Sequence, residues 1–381
     1  MGVLAHALLP IGAKVSTLRC SPGHQTGYAA AMDMPFPRSE LPTPALVLDA
    51  AVMDRNIAAM AAFAAERGLM LRPHAKTHKS ADIARRQIAA GAVGICCAKL
   101  GEAEALAAEG VGDVHLTSPV VTPGGIVRLK ALAAKIKLSV VVDHPDNARA
   151  LAGCGATLFV DVDPGVHRTG VTSPEAAVEL ARAIGPIGGV QFYCGSEQHI
   201  TKAADRRAVL AEKFAYLRTV LDALDAAGVD VPIVTGGGTG SFAIDSELGM
   251  LTELQVGSYI FLDREYRDCE LGGPAFAPSL FVDASVISVN TPGRVTIDAG
   301  LKAFAADAGV PVVLAGAEGR YAFLGDEQGA VIGDVVPGLA ARITLMPPHC
   351  DPTVNLYDRY HVIDGDDVVA SWPVTARGRS S

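Results

Sequence analysis

The sequence predicts a (β/α)8 barrel joined to a mainly β C-terminal unit, on three observations. Eight short apolar runs fall between residues 70 and 259, most of them separated by helical patterns. Strand–helix alternation of this kind means a parallel sheet with crossover helices, and the count of eight favours a closed barrel over a doubly wound sheet. Past about residue 275 the texture changes to short strands punctuated by Gly, Pro and Asp, which reads as an all-β unit.

Folded sequence is expected to begin at Leu41-Pro-Thr-Pro, with residues 1–40 a disordered extension of little periodicity. Translation starting at Met32 or Met34 is an alternative, and Val3–Ala13 lacks the charged flank of a signal peptide. Ala45–Asp49 reads as a short buried strand. Met53, Ile57, Met60 and Ala64 then recur at helical spacing, and Gly68 ends the helix. The barrel runs are 70–76, 94–99, 113–118, 137–143, 157–163, 189–195, 232–238 and 253–259. The longest intervening helix carries Leu210, Phe214, Leu217, Leu221 and Leu224 on one face. In the second unit, strands are expected at 279–290, 294–298, 310–314, 321–324, 330–332 and 341–346. A hairpin follows at 360–363 and 368–372 around Asp364-Gly-Asp-Asp.

Bulk properties narrow the function classes. The chain has 381 residues, a formal net charge of −9 and no basic tail, which argues against nucleic acid as a partner. No apolar run approaches the roughly 20 residues of a membrane span. Seven scattered cysteines without a C-x-x-C pair suit a reducing compartment, so the expected location is cytoplasmic.

In a barrel, reactive groups sit at the C-terminal ends of the strands. Those ends carry Lys76, Asp163 with Arg168 beyond it, Tyr193 with Gln198 and His199 beyond it, the turn 236–241, and Ser258-Tyr259. Alternation along the first run puts Arg72, His74 and Lys76 on one side. Three converging basic groups would lower the Lys76 pKa and make it nucleophilic, as a Schiff-base lysine requires. Lys79 lies past the strand end and is expected to reach solvent. Thr235-Gly-Gly-Gly-Thr-Gly-Ser241 follows the seventh run, where barrels recurrently bind phosphate, and the hydroxyls of Thr239 and Ser241 would add donors. A tight turn explains that stretch equally well when it is taken alone. In the second unit, an extended Pro347-Pro-His-Cys-Asp-Pro352 would point His349 and Asp351 together and Cys350 away. Imidazole plus carboxylate suits a divalent ion such as Mn²⁺, Mg²⁺ or Zn²⁺.

Arg72-Pro-His-Ala-Lys-Thr-His-Lys79, Gly94-Ile-Cys-Cys97, Tyr193-x-Gly-Ser-x-Gln-His199, Thr235-Gly-Gly-Gly-Thr-Gly240, Leu254-Gln-x-Gly-Ser-Tyr259 and His349-Cys-Asp-Pro-Thr353 occur in this order. Together they resemble the metal-activated D-threonine aldolases and 3-hydroxy-D-aspartate aldolases and, more distantly, the D-serine dehydratases. The resemblance spans residues 42–378. It implies an alanine-racemase-like fold in which residues 51–274 form the barrel and residues 41–50 with 275–381 form the β domain, usually as a homodimer. It further implies that Lys76 holds pyridoxal 5'-phosphate, with Arg168 near its phenolic oxygen. Gly238, Thr239, Gly257, Ser258 and Tyr259 would lie near the cofactor's phosphate. Tyr193, Gln198 and His199 would face a small-molecule D-3-hydroxy amino acid, and His349 and Asp351 would bind the metal, Mn²⁺ first among the candidates. The implied reaction is retro-aldol cleavage to glycine and an aldehyde, with His199 as the base. Dehydration of D-serine or 3-hydroxy-D-aspartate and a non-catalytic pyridoxal-phosphate carrier are the alternatives. The chain departs from its relatives at Cys194 and Gln328.

Overall fold

The computed structural model describes residues 34–381. Eighteen strands are present among the described residues: β1 Phe36–Pro37, β2 Ala45–Asp49, β3 Met70–Leu71, β4 Ile95–Cys97, β5 Asp113–Leu116, β6 Lys137–Val142, β7 Thr157–Val162, β8 Gly189–Phe192, β9 Val234–Gly236, β10 Glu253–Leu254, β11 Leu280–Thr291, β12 Arg294–Ile297, β13 Val312–Ala315, β14 Arg320–Phe323, β15 Gly329–Ile332, β16 Arg342–Met346, β17 Arg359–Asp364 and β18 Asp367–Pro373. The helices are α1 Ala50–Glu66, α2 Ala81–Ala89, α3 Leu100–Ala108, α4 Pro123–Ala133, α5 Pro145–Leu151, α6 Pro174–Ile184, α7 Ala203–Ala226, α8 Phe242–Leu248, α9 Arg264–Arg267 and α10 Cys350–Val354.

Strands β3 to β10 pair in parallel in the order β3-β10-β9-β8-β7-β6-β5-β4. The seam between β3 and β4 is closed by the hydrogen bonds Val93 N to Leu71 O, Cys96 N to Pro73 O and Ala75 N to Cys96 O, all 2.8–2.9 Å. The eight runs therefore make a closed barrel, although several strands are shorter than their apolar runs. Helix α1 ends as its sequence suggests. Gly68 takes φ +65°, and the N–H groups of Gly68 and Leu69 reach the carbonyls of Ala65 and Ala64. That is the Schellman arrangement, which relieves two orphan carbonyls of the last turn.

The remaining strands form a second sheet. β2 lies between β11 and β17, antiparallel to the first and parallel to the second. The chain thus lays one strand of this sheet before the barrel and the rest after it. The expectation of a disordered extension to residue 40 needs correction at its end. β1 pairs Phe36 with Val368, and Arg38 Nε and Nη2 each lie 2.7 Å from the buried Asp283 carboxylate. A buried carboxylate must be paired, and Arg38 with Arg342 supplies the charge. The earlier part of that segment lies outside the described residues.

Two expectations for the Lys76 loop fail for the same reason, unforeseen carboxylate partners. Arg72 does point inward with His74 and Lys76, but it is spent in the barrel floor on Asp113 (2.5 Å) and Glu253 (3.0 Å). His74 is buried, and burial drives its pKa well down, so it adds no charge. Lys79 is only 8% exposed and pairs with the buried Glu102. Glu102 also accepts from Ala98 N and Lys99 N, which starts α3. From the other side, Tyr360 Oη donates to His78 O at 2.5 Å and Ala376 N to Lys79 O at 2.9 Å. The second sheet thereby clamps the backbone just beyond Lys76.

Lys79→Ala removes the only side-chain cation paired with Glu102 among the described residues. It should lower stability by about 3–5 kcal/mol, the range for breaking a buried pair. Urea denaturation measures this, and an unchanged midpoint would show that Glu102 is effectively solvated.

Candidate active site

The strand ends of the barrel surround a cavity of about 150 Å³ whose wall includes His74, Lys76, Arg168, Tyr193, Gln191 and Gln255. Its floor is polar. Gln255 Nε2 donates to Gln191 Oε1 and Thr235 Oγ1, Gln191 Nε2 donates to Asp161, and Thr235 Oγ1 donates to Glu253. Arg168 stands on a loop organised by Asp163, whose Oδ1 accepts from the N–H groups of Gly165, Val166 and His167 at 2.8–3.0 Å. The guanidinium lies 5.7 Å from the centre of the Tyr193 ring.

Lys76 is not the depressed lysine that a cationic cluster would make. Its Nζ lies 3.3 Å from Asp351 Oδ2, and the attraction of that carboxylate outweighs burial and raises the lysine's pKa. Lys76 comes from the barrel and Asp351 from the second sheet's side of the chain, so the two meet at the barrel mouth. Asp351 is itself held far below the usual carboxylate range. Burial opposes that shift, and Lys76 and His349 overcome it. Ser258 Oγ donates to Asp351 Oδ1 at 3.2 Å.

The segment around His349 is not extended. Residues 350–354 form the short helix α10 with His349 as its N-cap, and Cys350 is buried. Asp263 explains this geometry, accepting from Cys350 N at 2.7 Å with one oxygen and capping α9 at Tyr266 N with the other. His349 Nδ1 is bonded to Asp307 Oδ2 at 2.6 Å, which leaves Nε2 to bind. Burial works against its protonation, but Asp351, Asp307 and Asp263 raise its pKa. Glu265 sits between the two imidazoles, 3.8 Å from Nδ1 of both His199 and His349. His199 stacks on Tyr266 with 4.9 Å between ring centres, and burial lowers its pKa, which favours the neutral form.

The glycine turn also differs from its reading. Ser241 Oγ accepts from Gln198 Nε2 (2.7 Å) and Gly238 N (3.2 Å), so its proton goes to Asp245 Oδ2 at 2.5 Å. The Ser241 hydroxyl is therefore no phosphate donor. Thr239 Oγ1 accepts from Tyr259 N at 3.0 Å and keeps its proton to donate. Tyr259 is buried, with its hydroxyl on Gln87, so its phenol is not at the site. A Cβ at Gly257 would come 2.6 Å from Thr77 Oγ1, which shows how closely this turn packs on the Lys76 loop. Gln198 does not face the cavity; it is fully buried and bonded to protein. Cys194 is buried, and Gln328 is exposed in the turn between β14 and β15.

The donor set fits pyridoxal phosphate. A primary amine and a guanidinium share the cavity wall, and the turn at Gly257, which packs on the Lys76 loop, is bonded through Tyr259 N to Thr239. Among the described residues, no three His, Cys, Asp or Glu side chains form a metal site by themselves. The imidazole of His349 and the carboxylate of Asp351 are a donor pair that would suit a divalent ion, the other positions of which would have to come from water or substrate oxygen. Asp263, Glu265, Asp307 and Asp245 escaped the sequence reading, and no local signal marks them.

Residues 48–265 match the family model described as alanine racemase, N-terminal domain, and residues 279–363 match that of a putative serine dehydratase domain. A D-threonine aldolase from Arthrobacter sp is 40% identical over 90% of this chain and 95% of its own. A 3-hydroxy-D-aspartate aldolase from Paracoccus denitrificans is 38% identical over 93% and 98%. The crystal structure of D-threonine aldolase from Filomicrobium marinum superposes with a TM-score of 0.89 at 36% identity, covering 92% of this chain and 99% of that one.

Asp245, beneath the glycine turn, is fully buried, and burial pushes its carboxyl up to about 7 against Ser241 and Arg206. A carboxyl raised in the folded state adds stability below its unfolded pKa, and loses it as pH rises through the folded value. Asp245→Asn is neutral throughout, so it should gain stability relative to the parent as pH rises from about 4 to about 7. Urea midpoints at the two ends measure the difference, and one that does not change with pH would refute the assignment.

Proposed function

Because the chain belongs to the D-threonine aldolase and 3-hydroxy-D-aspartate aldolase family, with its alanine-racemase type of barrel, we propose that it cleaves D-3-hydroxy amino acids to glycine and an aldehyde. The observation that carries this reading is the 3.3 Å approach of Lys76 to Asp351, which sets the lysine that would carry the cofactor beside a carboxylate that would ligate a metal. Pyridoxal phosphate on Lys76 supplies an electron sink for the charge left at Cα, and a divalent ion on His349 and Asp351 supplies a Lewis acid for the β-hydroxyl.

The chain's own residues do the rest. Arg168 brings its guanidinium to the cavity wall, where it would pair with an anionic ring oxygen of the bound cofactor. Gly238, Thr239, Gly257 and Ser258 would receive a phosphate beside the Lys76 loop, with the Thr239 hydroxyl as a donor. Asp307 engages Nδ1 of His349, which leaves Nε2 as the nitrogen to bind. His199, kept neutral by burial and steadied on Tyr266, takes the β-hydroxyl proton as the Cα–Cβ bond breaks. Tyr193 stands on the substrate side of the cavity. In this reading residues 51–274 hold the cofactor, and residues 41–50 with 275–381 bring the metal ligands.

Mn²⁺ is the proposed ion, since one imidazole and one carboxylate make a hard, oxygen-rich set once water or substrate completes it. We place the enzyme in the cytoplasm as a homodimer. Among the described residues, Cys96, Cys97, Cys154, Cys194, Cys269 and Cys350 form no disulfides, which suits a reducing compartment. No helix among the described residues is long and apolar enough to cross a membrane.

Borohydride reduction of the reconstituted protein should fix the pyridoxyl group on Lys76; peptide mapping that finds it on Lys79 would refute the assignment. Asp351→Ala should abolish cleavage of D-threonine while the visible absorbance of the cofactor persists, and a chelator should do the same until Mn²⁺ is restored. Full-speed cleavage by chelated enzyme would rule out the metal's role, and release of keto acid and ammonia would replace the aldolase with a dehydratase. His199→Ala should lower turnover by ~10²–10⁴ without loss of the cofactor's absorbance; a smaller loss would assign the proton transfer to another group.

A further inference from the structure

Every hydrogen bond of the Gln198 amide is made to protein, and none is directed to the cavity. Nε2 donates to Cys194 O at 2.9 Å and to Ser241 Oγ at 2.7 Å, and Oε1 accepts from Gly240 N at 2.9 Å. Chemistry settles which end is which, because only Oε1 can accept from an N–H and only Nε2 can donate to a carbonyl. The side chain has no exposed surface. Its contacts are as close as glycine permits. A Cβ at Gly238 would fall 2.5 Å from Gln198 Oε1, and one at Gly240 would fall 1.9 Å from the Gln198 carbonyl oxygen. On one side of the amide is the turn 236–241. On the other is the loop after β8, which carries His199 as the very next residue.

We infer that Gln198 is a positioning residue that locks the glycine turn and the His199 loop into one unit, and that it does not bind substrate. Through Ser241 the lock continues to Asp245, and through Thr239 Oγ1 and Tyr259 N it reaches the turn 257–259. An anion seated on these turns is therefore held by the same bonds that place the base. Breaking them loosens both segments, because each unmade bond leaves a buried polar group without a partner. This inference rests on the reading in which the turns receive the cofactor's phosphate.

The test is Gln198→Met, which keeps the volume and removes all three bonds, with Ser241→Ala, which leaves Gln198 in place. Amide hydrogen exchange is followed over residues 194–200 and 237–242 with and without pyridoxal phosphate. Cofactor affinity is titrated by absorbance, and KM is measured at saturating cofactor. The expected result is faster exchange in both segments together, cofactor affinity weakened roughly tenfold or more, and KM within about twofold of the parent. A raised KM with parental exchange and affinity would make Gln198 a substrate ligand and overturn the inference. Faster exchange in one segment alone would also overturn it, since the two would then not be one unit. If Gln198→Met fails to fold, Ser241→Ala decides by the same joint change in exchange, and parental exchange in that variant would refute the lock. If the parent protein itself takes up no pyridoxal phosphate, the functional reading fails, while exchange without cofactor still decides the role of Gln198.

Discussion

A guanidinium enclosed by eight strands has to be neutralised where it stands, and Arg72 is neutralised by Asp113 from β5 and Glu253 from β10. Much of the barrel interior follows from that requirement. Glu253 is then bonded by Thr235, Thr235 by Gln255 and Gln255 to Gln191, so polar side chains climb from the floor to the cavity. Gly94 is part of the same constraint, since a Cβ there would lie 2.3 Å from Arg72 Nη1. Such an interior gives up aliphatic packing and gains fixed dipoles directly beneath a reactive amine. Satisfied polar networks of this kind are rigid, and rigidity is what a cavity needs to keep its shape when it is filled.

The barrel strands were legible because each carries its own period and its own turn signals, and the same holds for the strands of the second sheet. Lys76 was legible because a lysine at a barrel strand's end has few structural uses. What stayed hidden was the identity of partners. Lys79 looked solvent-bound, and its fate depends on Glu102. Lys76 looked depressed, and its true shift depends on Asp351. Gln198 looked like a substrate ligand, and its bonds run to Cys194, Gly240 and Ser241. A carboxylate or an amide has no periodicity, so nothing near it in the sequence tells whether it faces water or a charge. Helix α10 was missed for a related reason. Asp263 starts it from 87 residues away.

The junction between barrel and second sheet is built from these hidden groups. Asp263 caps two short helices at once, α9 with Glu265 and Tyr266 and α10 with Asp351. The acceptors Pro347 O and Pro348 O then take the N–H groups of Arg264 and Glu265. Glu265, Tyr266 and Asp351 are therefore placed by backbone bonds as well as by their own side chains. His199 leans on this assembly from the barrel side. The reactive groups are divided between two sheets, but their separation is set by one carboxylate.

The position of β2 has a consequence for how the protein is made. Thr43, just before this strand, bonds to Ser285, 242 residues later, and the strand's neighbours β11 and β17 both follow the barrel. A ribosome adding about 5–20 residues per second needs on the order of ten to fifty seconds to supply the first of them. For that interval Ala45-Leu-Val-Leu48, wholly buried in the finished protein, has no sheet to join. Such a strand presents bare edges and apolar side chains to whatever is nearby. The arrangement that brings Asp351 over Lys76 thus leaves the nascent chain dependent on early closure of the barrel, or on a chaperone, until its last third emerges.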